Sequence, residues 1–171
     1  MSSDRATILI AGVGNIFRGD DAFGVELAQR LMARKLPESV RVVDFGIRSL
    51  DLAYALLDGY DVNILLDATP RGGPPGTLYV IEPDWRDLAS LPAQAEMETH
   101  GMNPMRALRA VKSFGGELKR VLLVGCEPLT LGSEEEGKLG LSPVVMLAVD
   151  EGVALVESLV AKSLREQEVA V

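Results

Sequence analysis

One cysteine, one histidine and a deficit of basic residues limit what this 171-residue chain can be. The lone cysteine, Cys126, excludes an internal disulfide and fits a reducing compartment. With 17 lysines and arginines against 25 acids, the formal net charge is −8, which argues against nucleic acid and anionic membrane surfaces as partners. No apolar run reaches the roughly 20 residues of a membrane span. The opening MSSDRATILIAG has an early acid and only a short apolar stretch, so neither a signal peptide nor an anchor is expected there. A cytoplasmic protein is the expectation. Nothing resembling a nucleophile elbow is present, so no Ser-His-Asp order can be assembled around His100. Repeats and linkers are also missing. Residues 1–171 therefore read as one domain, long enough for a three-layer core.

What is there is concentrated in ILIAGVGNIFRGDDAFGVELAQ, Ile8 to Gln29. The apolar run Ile8 to Ala11 has the length of a buried strand. Gly12 and Gly14 permit a sharp turn, and Asn15 can bond within its own loop. Asp20 and Asp21 come next, then an amphipathic helix carrying Phe23, Leu27 and Leu31. One acid at that place is explained as a helix cap; two exceed that need. A dinucleotide loop would require a third glycine where Phe17 stands, and acids at the mouth repel phosphate. The loop suits a cation.

Further along, Arg41 to Phe45 reads as a second strand containing Asp44, and Ser49 as a cap for the next helix. Val62 to Leu66 forms an unbroken apolar third strand, covered on both faces, that ends on Asp67. The stiff connection TPRGGPPG is too short for a crossover helix, so the fourth strand, Leu78 to Ile81, should run antiparallel. Trp85 to Met97 is weakly patterned. A helix begins at Asn103 or Pro104 with Met105, Leu108, Val111 and Phe114 as its stripe. Val121 to Val124 is a fifth strand, and Ser142-Pro143 opens a last helix to about Leu164.

The sum is a three-layer α/β/α sandwich. With the first strand between the second and third, Asp20, Asp21 and Asp67 reach the topological switch point, and His100 could be brought over the same crevice. Two carboxylates and an imidazole suit a divalent transition metal. Each also has a plain reading: Asp67 as a turn residue, His100 as a surface residue, Cys126 as core, Asp44 as a bond to nearby amides.

The run GVGNIFRGDDAFGVELAQRL resembles the N-terminal signature of the [NiFe]-hydrogenase maturation endopeptidases, G-x-G-N, four residues, D, D or E, x-x-G, on which Gly12, Gly14, Asn15 and Gly24 are the loop positions. The likeness continues through RVVDFG, ILLDA, the stretch at His100, LLVGCEP and GLSPVV, over nearly the whole chain. The resemblance implies a phosphorylase/hydrolase-like fold with a mixed five-stranded sheet of order 2-1-3-5-4, strand four antiparallel. It implies Asp21, Asp67 and His100 as metal positions. It also implies removal of a C-terminal extension from a hydrogenase large-subunit precursor after nickel insertion. Nickel would arrive with the substrate, and other divalent metals could substitute. Asp20 or Asp44 would assist proton transfer, with the sequence leaving that choice open.

The chain departs from the resemblance at Asp44-Phe45-Gly46-Ile47, followed by Arg48, where many members have D-G-G-T. Asp21 stands where some members carry glutamate. Two rival readings remain at this level: a nucleotide-binding module using Gly12, Gly14 and Asp44, and a non-catalytic metal- or partner-binding maturation chaperone.

Overall fold

Six buried residues in a row, ILIAGV, form β1 (Ile8–Val13), and the largely buried run VNILLDA forms β3 (Val62–Ala68) beside it. These strands read as nearly continuous apolar runs because helices cover both faces of the sheet. The computed structural model describes residues 7–87, 103–132 and 137–170. Strands β2 (Val40–Gly46), β4 (Leu78–Ile81) and β5 (Arg120–Cys126) complete a sheet of order β2-β1-β3-β5-β4. All neighbours are parallel except β4, which runs antiparallel to β5 as its short connection requires.

The period of two along a strand divides the core. Ile8 and Ile10 of β1, with Ile64 and Leu66 of β3, pack under α1 (Phe23–Met32) and α4 (Pro143–Val169). Leu9, Ala11 and Leu65 face the other way, onto α2 (Ser49–Leu56) and α3 (Pro104–Ser113). The sandwich and strand order are those expected. β2, an edge strand, is mostly half-buried rather than fully buried.

Several boundaries differ from the sequence reading. β1, β3 and β5 each continue two residues further, so Asp67 lies inside β3, paired with Gly125. Helix α1 stops at Met32, ahead of Pro37. Ser49 is the first residue of α2, and Arg48 takes the cap position without a side-chain capping bond. Helix α4 runs on to Val169 through residues of good helix propensity. Asn103 caps α3 as expected, its Oδ1 accepting the Met105 N–H at 2.9 Å, with Pro104 in the first turn. Phe114 falls just past that helix and stacks on Tyr54 at 5.8 Å. Among the described residues no helix is long and apolar enough to cross a membrane.

Candidate active site

The carboxyl ends of β2, β1 and β3 lie side by side. Gly12 pairs with Asp44 on one side and with Leu66, the neighbour of Asp67, on the other. The glycine loop is held at both ends. Gly14 has φ 146°, and a Cβ there would run into the Asp21 carbonyl oxygen. Its N–H donates to the Gly46 carbonyl at 3.0 Å, tying the loop to the end of β2. Asn15 accepts the Phe17 N–H on Oδ1 at 2.9 Å and donates its own N–H to Asp21 Oδ2 at 2.8 Å.

A second pair of glycines brings the helix down on the sheet. A side chain at Gly12 would strike the Gly24 carbonyl and Ala28, and one at Gly24 would strike the Leu66 and Val13 carbonyls. The one-turn 3-10 helix Gly19–Ala22, which carries both acids, packs against β3, the strand that carries Asp67. Asp21 is buried, and Asp67 is half-buried with its Oδ1 shielded. His100 lies outside the described residues, and among those described no three metal-ligating side chains gather into a cluster.

Asp20 has a different place from its neighbour. It is wholly buried, and Oδ2 accepts from the Leu129 N–H (2.9 Å), the Thr130 N–H (3.1 Å) and the Ser142 hydroxyl (2.8 Å). Oδ1 accepts from the Ser142 N–H at 2.7 Å. Expected as a candidate for proton transfer, Asp20 has both oxygens turned into the protein and no face toward solvent, so the geometry makes it a clamp. It does not cap α1 either, whose cap position is Ala22. Ser142 is at the cap of α4, but its hydroxyl bonds Asp20 instead of the helix.

Asp44 is the acid that faces open space. It lines a cleft of about 360 Å³ together with Asn15, Phe17, Gln29 and Arg48. Its Oδ1 accepts the Gly46 N–H at 2.9 Å and its Oδ2 accepts from Gln29 Nε2 at 3.2 Å. Arg48 fixes the main chain there, donating to the Asp44 carbonyl at 2.6 Å and the Phe45 carbonyl at 3.2 Å. Sequence reasoning missed Gln29, whose only signal is its place on the helix leaving the loop.

The same fold occurs in known proteins. The model of the HycI hydrogenase maturation protease family matches residues 25–159. The chain belongs to the hydrogenase maturation protease family. It is 31% identical over 155 residues to the hydrogenase expression/formation protein HupD of Rhizobium leguminosarum bv. viciae, covering 88% of this chain and 74% of that one. In structure it resembles the hydrogenase 2 maturation peptidase of a Thaumarchaeota archaeon, with a TM-score of 0.68 and 33% identity over 90% of this chain and 97% of that one. It also resembles the hydrogenase maturating endopeptidase HybD of E. coli, with a TM-score of 0.72 and 28% identity over 91% and 93%. The protease is thus a hydrolase, and close packing accounts for Gly12 and Gly14.

Cys126 of the protease is no nucleophile. Burial, reinforced by the charges of Asp20, Glu127 and Glu151, pushes its thiol up to about 12, so it stays protonated. Glu127, which the LLVGCEP stretch contains without marking it out, holds the loop beyond β3. It accepts the Arg71 N–H at 2.8 Å, the Gly72 N–H at 3.1 Å and the Tyr79 hydroxyl at 2.9 Å. Burial works to raise its pKa, but the donors, Arg71 and Tyr79 foremost, outweigh it and hold the carboxyl below the ordinary value.

A depressed folded pKa adds stability that is present above the unfolded value, about 4.3, and is lost as pH falls through the folded one. Urea titrations between pH 3 and 6, a range about that reference value, should give wild type an acid-side loss that Glu127→Gln lacks. Parallel pH profiles would mean that Glu127 contributes nothing to it.

Proposed function

We propose that this protease cuts a C-terminal extension from the precursor of a [NiFe]-hydrogenase large subunit once nickel is in place. The observation that supports the reading is that the turn carrying Asp21 packs against β3, the strand that bears Asp67 one position from its carboxyl end. Carboxylate oxygens and an imidazole form a donor set that a borderline divalent metal accepts. Asp21, Asp67 and His100 would engage the nickel carried by the substrate, and His100 would come from the segment before α3. An unloaded precursor then lacks an anchor, and discrimination comes from the missing contact.

The Asp44 carboxylate is placed to hold a proton during attack on the peptide bond. Gln29 and the Gly46 N–H orient it, while the cleft gives it access to substrate. Bound in this cleft, the scissile carbonyl is kept near the acid by the loop walls, which supplies orientation rather than covalent chemistry. The lone free cysteine fits a cytoplasmic setting.

The test is a cleavage assay on nickel-loaded and nickel-free precursor, read by the mass of the C-terminal product. Loaded precursor should be shortened, and the nickel-free form should stay intact. Equal cleavage of the two would discard nickel as the recognition element. Tight binding with no cleavage of either would replace the protease by a chaperone.

A further inference from the structure

The buried polar system around Asp20 is not explained by peptide hydrolysis. The turn Gly19–Ala22 is a single 3-10 turn, and Arg18 at its start contributes no side-chain cap. Such a turn has too few bonds of its own to fix its position. Its anchors come from the connection between β5 and α4. The Gly19 N–H donates to the Lys138 carbonyl at 2.9 Å and the Asp20 N–H to the Thr130 carbonyl at 3.1 Å. The Asp20 carboxylate collects the Leu129 and Thr130 N–H groups and both donors of Ser142.

Ser142 gives up its ordinary task for this. A serine at a helix N-cap normally bonds a free N–H of the first turn, yet this one makes no such bond. Its hydroxyl is committed to a carboxylate 122 residues earlier in the chain.

We propose that Asp20 and Ser142 are positioning residues for Asp21, a clamp that fixes the next carboxylate at the end of β1. Each of these anchors acts on Gly19 or Asp20, and Asp21 is covalently next. Its own Oδ2 accepts the Asn15 N–H at 2.8 Å, so a shift of the turn disturbs that bond. The clamp also explains why two acids stand together: one is held by the protein, and holding it presents the other. The proposal rests on the reading of Asp21 as a nickel-facing carboxylate for its meaning, but not for its test.

The test uses the full-length protease as wild type, Ser142→Ala, Ser142→Thr and Ser163→Ala. Ser163 is buried in α4 and lies outside the clamp. The first readout is amide hydrogen exchange at Asn15, whose acceptor is Asp21. The second is the affinity for Ni²⁺ alone by titration. Ser142→Ala removes one charge-assisted hydrogen bond and leaves three, so the protein should stay folded. Exchange at Asn15 should rise about tenfold, with Leu9 and Ile10 unchanged, and Ni²⁺ should bind about tenfold more weakly. Ser142→Thr should restore both, and Ser163→Ala should move neither. Unchanged Asn15 exchange in folded Ser142→Ala overturns the clamp, as does an equal change in Ser163→Ala. Wild type that binds no Ni²⁺ would instead defeat the metal reading, leaving the exchange result to judge the clamp.

Discussion

Gly24→Ala should lower the stability of the protease by about 3 kcal/mol, the upper end of the usual cost of overpacking. At this chain length that is a fall in Tm of roughly 6–12 °C. The added methyl would meet the carbonyl oxygens of Leu66 and Val13, both main-chain atoms of the two central strands. A clash with a side chain is relieved by a change of rotamer; a clash with strand backbone moves the helix. Helix α1 would lift from β1 and β3, and the acids just before it would lift too. The substitution should therefore also slow processing beyond what the unfolded fraction accounts for. Thermal melts followed by circular dichroism, with processing assayed well below Tm, check both parts. A variant as stable as wild type would mean that α1 does not approach the sheet as closely as described.

Asp67→Ala should do the opposite, abolishing function while sparing the fold. The residue sits one position from the end of β3, half-buried, and contributes little apolar contact to either core layer. Stability should change by about 1 kcal/mol or less, as for substitutions outside the core. Processing of loaded precursor should drop by roughly a hundredfold or more, the scale of losing one preorganised electrostatic contact at a reacting centre. Asp67→Asn keeps the shape and removes the charge, so it should be nearly as inactive. The C-terminal mass of the product over time reads both variants. If Asp67→Asn cuts at the wild-type rate, charge at this position is irrelevant and the residue belongs to the strand end alone. If Asp67→Ala fails to fold, its role is structural.

Much of this protein is legible without its structure. The unbroken apolar runs of β1 and β3 signal strands covered on both faces, and their length rules out helices. The eight residues TPRGGPPG cannot hold a crossover, which makes β4 antiparallel. Asn103-Pro104 marks the start of α3 through chemistry confined to three residues. The glycine loop with its paired acids is equally local, and it carries the resemblance to the family's N-terminal signature within one short stretch.

The tertiary structure decided what surrounds each acid. Asp20 and Asp21 are adjacent and identical, and nothing nearby in the chain marks which of the two is enclosed by donors from distant loops. The distinction lies in donors at positions 129, 130 and 142, which fold onto Asp20 from beyond β5. The same holds for Ser142, whose cap signal is real while its hydroxyl is spent elsewhere, and for Glu127, which gathers donors from a loop some 55 residues earlier. Strand and helix signals repeat with the geometry of the backbone and so appear in the sequence as periods. A hydrogen bond between distant loops has no period, because its partners are chosen by where the sheet places the ends of its strands.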